Sequence, residues 1–126
     1  MPSALITSLE KLTFLLGDPQ EEIYQRLYSR YPDLQSLFVL DTDNSVRGSM
    51  LQTAFEYILI YGDIAEIDQP GLASWRSHHA EYGVEEDVFL VFFVLIRDCV
   101  KDYLGPEWSD SMASQWEDFL QQASPS

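Results

Sequence analysis

The only two histidines of the chain stand next to each other, in the segment WRSHHAEYGV at residues 75–84. Neighbouring residues of a helix point about 100° apart, so His78 and His79 cannot both face one site. Leu72 and Trp75 precede His79 by seven and four residues and share its helical face, whereas His78 lies off that face. The spacing therefore predicts that His79 points inward. It is either a metal ligand, since neutral imidazole binds metals well, or a core histidine bonded to a backbone carbonyl.

Other kinds of site fail on residue type or spacing. The segment DTDNSVRGSMLQ, residues 41–52, begins like a calcium-binding loop. However, Val46 stands where such a loop needs glycine, and Gln52 where it needs a bidentate glutamate. Cys99 lies in an apolar run and is expected to be a packed, inert thiol. No phosphate-binding glycine loop, nucleophile elbow, paired CxxC or HExxH motif occurs, which leaves His79 as the candidate centre.

The charge of the chain restricts its partners. The formal net charge is −14, which excludes the basic patch that a nucleic acid requires and disfavours an anionic membrane surface. The apolar run VFLVFFVLI at residues 88–96 is too short to cross a bilayer. The first residues lack the pattern of a secretion signal. We therefore expect one domain over residues 1–126, in the cytoplasm, with no nucleic-acid or membrane partner.

Helical periodicity runs through nearly the whole chain and predicts an all-α fold of six or seven helices. The expected helix ends lie at Gly17–Pro19, Pro32 and Gly105–Pro106. Asp43 or Asn44 is the expected N-cap of the clearest amphipathic helix. A short helix is expected between Pro70 and His79, before a long helix over about residues 85–103. A histidine on a short helix opposite a long amphipathic one, in an aromatic interior, is typical of a slot for a flat apolar cofactor with an iron centre.

Four segments of the chain resemble signature segments of the globin family, in the globin order. In IYQRLYSRYPDLQSLF, Pro32 stands six residues before Phe38, and globins use that phenylalanine to wedge the porphyrin. RGSMLQTAFEYIL resembles the distal helix, HHAEYGV the proximal turn, and LGPEWSDSMASQW the entry to the last helix. The resemblance covers about residues 20–122 and is greatest to the bacterial single-domain haemoglobins. It implies a globin-like, three-over-three helical sandwich.

The resemblance also implies haem b and assigns roles to individual residues. His79 matches the proximal iron ligand, and His78 a flanking position near the ligand or a haem propionate. Phe38 matches the haem wedge and Leu51 the apolar residue above the iron. Tyr24 matches a distal position whose tyrosine hydroxyl donates to bound oxygen in bacterial globins; the alternative is an ordinary core ring. The other expected cofactor contacts are Trp75, Val84, Phe89 and Phe92.

The chain departs from the globin pattern at two places that bear on function. Arg47 stands at the distal gate, where globins usually carry histidine or glutamine. It is expected to turn outward to a propionate or solvent, to clamp an anionic ligand, or to be a plain surface arginine. The tyrosine and glutamate that support peroxidase-like chemistry in flavohaemoglobins have no counterparts. Phe89 stands near the place of that tyrosine, and the last helix ends before the place of the glutamate.

Three functions follow from the resemblance. The first is reversible binding of a diatomic gas, oxygen above all but also carbon monoxide or nitric oxide, at an iron held by His79. The second is nitric oxide dioxygenation, which would need a separate reductase because no reductase domain follows. The third is a haem-free globin that acts as a sensor or interaction module. Phe38 and His79 speak against the third, since a cofactor-free core has no use for an inward histidine.

Overall fold

The computed structural model of the chain describes residues 3–124, which form six α-helices and two 3-10 turns, with no strand among them. The helices are α1 (Ala4–Leu16), α2 (Gln20–Arg30), α3 (Ser45–Ile64), α4 (Gln69–Glu81), α5 (Glu86–Leu104) and α6 (Asp110–Ala123). The 3-10 turns are Pro32–Phe38, after α2, and Gly105–Glu107, before α6. The prediction of an all-α fold with six or seven helices is confirmed. None of the helices in this part of the chain is long and apolar enough to cross a membrane.

Glycine and serine set several helix ends. Gly17 and Gly105 have φ values of 79° and 53°, in the left-handed region that favours glycine, and they end α1 and α5. The hydroxyls of Ser3 and Ser109 each accept a hydrogen bond, at 3.1 Å, from the backbone N–H three residues later. These side chains N-cap α1 and α6, because they satisfy amide groups that have no partner within the helix.

The hydrogen bonds that cap the first turn of α3 come from a residue that the sequence pattern did not indicate. Asn44 has a left-handed φ of 63° and makes no side-chain cap, and Asp43 accepts only from the backbone N–H two residues later. The two carboxylate oxygens of Asp41 instead accept from the N–H groups of Val46 and Arg47, each at 3.0 Å. Asn44 is therefore the N-cap residue of α3 by position, as predicted, but its side chain makes no capping hydrogen bond. The chain folds back before α3, which brings an earlier carboxylate to the first turn.

Helix α5 is the centre of the packing and contacts α1, α2, α4 and α6. Its buried side chains are Phe89, Phe92, Phe93, Leu95, Ile96, Cys99, Val100 and Leu104. The fully buried Trp116 of α6 donates its Nε1–H to the Ser8 hydroxyl of α1 at 2.9 Å. Burial raises the pKa of the Cys99 thiol to about 11, so the thiolate needed for reactivity is scarce at neutral pH. A well-packed α5 therefore provides a fixed wall for the helices around it.

Candidate cofactor cavity

A cavity of about 450 Å³ opens between the start of α3, the second half of α4 and the first half of α5. Its volume lies within the range of about 300–1,000 Å³ that is usual for small-molecule pockets. Of the residues predicted to contact a cofactor or iron, seven line it: Phe38, Trp75, His78, His79, Val84, Phe89 and Phe92. The predicted residues that do not line it are Tyr24, Arg47 and Leu51. The structure thus brings the residues expected on the His79 side of the cofactor into one cavity, together with Phe38. The three residues expected on the distal side lie outside the cavity lining.

Helix α4 presents His79 to this cavity in one defined state. The Nδ1 atom of His79 lies 2.9 Å from the carbonyl oxygen of Trp75, one turn earlier. Because a carbonyl oxygen only accepts, Nδ1 carries the proton and Nε2 keeps its lone pair. Burial lowers the pKa of His79, an effect that the Trp75 carbonyl opposes only in part. The ring is therefore held as the neutral tautomer that ligates metals through Nε2.

Aromatic rings hold the imidazole in place. His79 packs edge to face against Trp75, with ring centroids 5.4 Å apart, and against Phe89 at 5.2 Å. Trp75 is itself fixed on its other face by Tyr57 of α3, whose ring stacks on it at 5.9 Å with planes 10° apart. A ligand whose ring cannot turn freely loses little entropy when it binds a metal, so the site is preorganised.

The neighbouring histidine has a different environment. The side chain of His78 is 61% exposed, and its Nδ1 lies 3.9 Å from a carboxylate oxygen of Glu81. Its ring packs against the exposed Tyr82, with centroids 5.2 Å apart. His78 thus lies at the open rim of the cavity, while His79 is half-buried within it. Both histidines therefore border the same cavity, contrary to the expectation that they could not, but only His79 faces its interior.

Phe38 lines the cavity from the 3-10 turn that follows α2. It ends the 3-10 turn and packs against the rings of Tyr24 and Tyr28, at centroid distances of 5.7 and 6.3 Å. The guanidinium carbon of Arg47 lies 5.6 Å from the centroid of the Phe38 ring, a cation–π distance. These contacts fix the Phe38 ring in the wall of the cavity.

The hydroxyl of Tyr24 is engaged outside the cavity. It donates to the backbone carbonyl oxygen of Arg47 at 2.9 Å, and only 3% of Tyr24 is exposed. Burial raises the pKa of Tyr24 well above its usual value, so the hydroxyl stays protonated and remains a donor. Tyr24 therefore links α2 to α3 through a hydrogen bond. This position corresponds to the alternative in which Tyr24 is an ordinary ring of the core.

The side chain of Arg47 is turned away from the cavity and bound to the loop before α3. Its Nε donates to the Asp41 carboxylate at 2.9 Å, and one Nη donates to the Asp41 carbonyl at 2.7 Å. Further bonds join the guanidinium to the Asn44 side chain and, at 3.4 Å, to the Tyr28 hydroxyl. Asp41 therefore neutralises the charge of Arg47 locally.

The face of α3 that lines the cavity is shifted by one residue from the expected one. Val46 and Met50 line it, whereas the expected Arg47 and Leu51 do not. Leu51 is buried and borders a second, more open depression of about 400 Å³ on the other side of α3, beside Gly48. One residue turns the direction of a side chain by about 100°. The resemblance assigned Arg47 and Leu51 to the cofactor, but the rotation of α3 in the structure turns Val46 and Met50 to the cavity instead.

The donor set determines what kind of group the cavity suits. Within residues 3–124, no three His, Cys, Asp or Glu side chains are placed to hold a metal ion together. A metal on the single imidazole of His79 must therefore bring its own ligands, as the iron of a porphyrin does. The walls are largely aliphatic and aromatic, and the buried carboxylate of Asp41 is already paired with Arg47. These features fit a flat, apolar metal complex that is held through His79.

Comparison with known proteins agrees with this fit. The sequence model of a family described as Globin matches residues 21–125. No curated protein and no solved structure gives a significant match. Globins typically hold haem and bind diatomic gases, and the match extends from α2 almost to the end of the chain. The chain belongs to the globin family.

Proposed function

We propose that the protein holds haem b in the cavity, with its iron on Nε2 of His79, and reversibly binds a diatomic gas such as oxygen. The observation that carries this proposal is the state of His79. It is neutral, bonded through Nδ1 to the Trp75 carbonyl and packed between two aromatic rings, and it lines a cavity that is otherwise nearly apolar. When bound, the haem supplies the iron and its exchangeable coordination position.

The other residues of the cavity bind, orient and shield the cofactor. The Trp75 carbonyl orients the imidazole and raises its basicity through the hydrogen bond to Nδ1. Phe38 and Phe89 supply flat apolar surface on different walls, and burying such surface contributes about 25 cal/mol per Å². The same rings exclude water from the interior, which favours an apolar gas over bulk solvent as the occupant. His78, at the rim, is placed to meet the polar edge of the cofactor.

The two adjacent histidines allow a matched test. We expect the purified protein to show a strong Soret band, which His79→Ala loses or greatly weakens because the iron loses its only protein ligand on that side. His78→Ala changes the same helix at the next residue and should keep the band. Haem retention after gel filtration, measured as the ratio of Soret to protein absorbance, checks both variants. Loss of haem in His78→Ala and retention in His79→Ala would reverse the assignment.

The same measurement separates this proposal from the haem-free alternative. A sensor or interaction module without cofactor would show no Soret band in the parent protein, even after incubation with hemin and removal of the excess. In that case neither histidine variant would differ from the parent in visible absorbance. Carbon monoxide added to the reduced, haem-loaded protein should shift the Soret band, which would demonstrate a position open to a diatomic gas.

A further inference from the structure

Helix α3 contributes one side chain to the cavity wall that has a lone pair suitable for binding a metal. Helix α3 contributes Val46 and Met50 to the lining, and only the second has a donor atom, its thioether sulfur. Met50 is half-buried, on the first half of α3. A thioether is a soft ligand, and paired with imidazole it forms a known axial ligand set for haem iron.

Met50 and His79 lie on two helices that contact each other through one stacked pair of aromatic rings. Helices α3 and α4 meet where the rings of Tyr57 and Trp75 stack. Met50 lies seven residues before Tyr57, about 10 Å along α3, and His79 lies four residues after Trp75, about 6 Å along α4. Both are on the cavity side of their helices, since both line the cavity. The two side chains therefore border the same cavity from different helices.

The other polar groups near this space are engaged or lie on the wrong wall. The Asp41 carboxylate accepts from two backbone N–H groups and from the Arg47 guanidinium. The Tyr24 hydroxyl donates to a backbone carbonyl. His78 and Tyr82 are exposed and belong to the end of α4, next to His79 rather than across from it. Met50 is left as the donor that α3 contributes to the cavity.

We propose that the sulfur of Met50 is the second axial ligand of the haem iron when no gas is bound. This inference rests on the proposed function and adds a ligand that the globin resemblance did not assign. The thioether donates a lone pair without losing a proton, and its unbranched chain bends easily towards or away from the metal. An incoming gas must displace it. The protein would then bind gas slowly and hold its iron at a raised reduction potential, as methionine–histidine ligation does.

The test compares the haem-loaded parent with Met50→Leu and with Met112→Leu as a matched control. Met112 is buried in α6 and does not line the cavity, so its change removes a sulfur without touching the site. We expect a low-spin ferric spectrum with the weak long-wavelength band of a thioether ligand in the parent and in Met112→Leu. Met50→Leu should lose that band, become high-spin and show a lower reduction potential. Met50→His should restore a low-spin spectrum without the band.

Carbon monoxide binding gives an independent readout. If the sulfur occupies more than about nine-tenths of the iron, removing it should speed carbon monoxide association roughly tenfold or more. The rate should level off at high gas concentration in the parent but rise in proportion to concentration in Met50→Leu. A Soret band in the parent with unchanged spin state and gas kinetics in Met50→Leu overturns this inference alone. Absence of a Soret band in the parent overturns the proposed function, and the inference with it.

Discussion

Tyr24 and His79 are polar side chains near the cavity, the first buried and the second half-buried. They differ in whether their hydrogen bonds leave a donor or a lone pair for a ligand. Tyr24 has one hydroxyl proton, and this proton is engaged in the hydrogen bond that the hydroxyl donates to the Arg47 carbonyl. His79 has two ring nitrogens, so its bond to the Trp75 carbonyl still leaves Nε2 with a lone pair. The residue types thus set different limits. A tyrosine that bridges two helices has no donor left for a ligand, whereas a histidine anchored to its own helix keeps one nitrogen for a metal.

Replacing Tyr24 by phenylalanine tests which use of the hydroxyl matters. The change leaves the buried Arg47 carbonyl without this donor, and we expect a loss of roughly 0.5–1.5 kcal/mol in the free energy of unfolding. Oxygen release from the haem-loaded protein should stay within about twofold of the parent. Urea unfolding and stopped-flow oxygen dissociation measure the two effects. Release that is ten times faster would show that the hydroxyl leaves the carbonyl and donates to the bound gas.

At the scale of the elements, the join between the 3-10 turn and α3 depends on the carboxylate of Asp41. It caps the first turn of α3 and holds the Arg47 guanidinium, which in turn covers the Phe38 ring. Burial opposes ionisation of Asp41. The hydrogen bonds from Val46 and Arg47 outweigh that effect, so the pKa of Asp41 lies below its usual value of 3.8. One carboxylate therefore fixes both the start of a helix and one wall of the cavity.

The lowered pKa of Asp41 predicts a specific acid sensitivity. Because the folded protein holds the charged carboxylate more tightly than the unfolded chain, its contribution to stability is fully present well above pH 3.8. That contribution is lost as the pH falls through the lower, folded-state pKa. Asp41→Asn should be less stable than the parent near pH 6, and the difference should shrink below about pH 4. Urea midpoints between pH 3 and 7 measure this difference, and a gap independent of pH would contradict it.

At the scale of the whole molecule, acidic residues outnumber basic ones threefold, at 21 against 7. Most of the basic side chains are already paired, as Arg26 is with Glu22 and Asp102, and Arg97 with Asp98. The excess negative charge stays unbalanced on a compact body and repels itself more strongly there than in the expanded unfolded chain. This repulsion destabilises the fold without changing its contacts.

Salt should relieve this repulsion and stabilise the protein. Raising sodium chloride from about 0.01 M to about 0.15 M shortens the screening length from roughly 30 to 8 Å, less than the width of the molecule. We expect the thermal midpoint of unfolding to rise over this range. Glu56→Lys changes an exposed position on α3 and reduces the magnitude of the net negative charge by two units, so its midpoint should depend less on salt. A midpoint that falls with added salt would mean that the ion pairs, rather than the repulsion, dominate.

The sequence by itself determined the helices, the family and the face on which His79 lies. Apolar spacing, glycine and proline act within a few residues, so they are readable without a partner. The shared face of Leu72, Trp75 and His79 is of this local kind, and the structure buries the first and places the other two in the cavity wall.

Only the tertiary structure decided which side chains face His79 across the cavity. Val46 rather than Arg47, and Met50 rather than Leu51, line it, because packing against α1, α2 and α6 sets the rotation of α3 about its axis. The acceptor of the Tyr24 hydroxyl, 23 residues away, likewise depends on how two helices cross. An amphipathic stripe is about 100° wide or more, so it fixes the rotation of a helix only to within that angle. Adjacent residues of a helix also point about 100° apart, so the stripe does not decide which of two neighbours faces the cavity. The contacts of α3 with neighbouring helices decide which of the two residues faces the cavity.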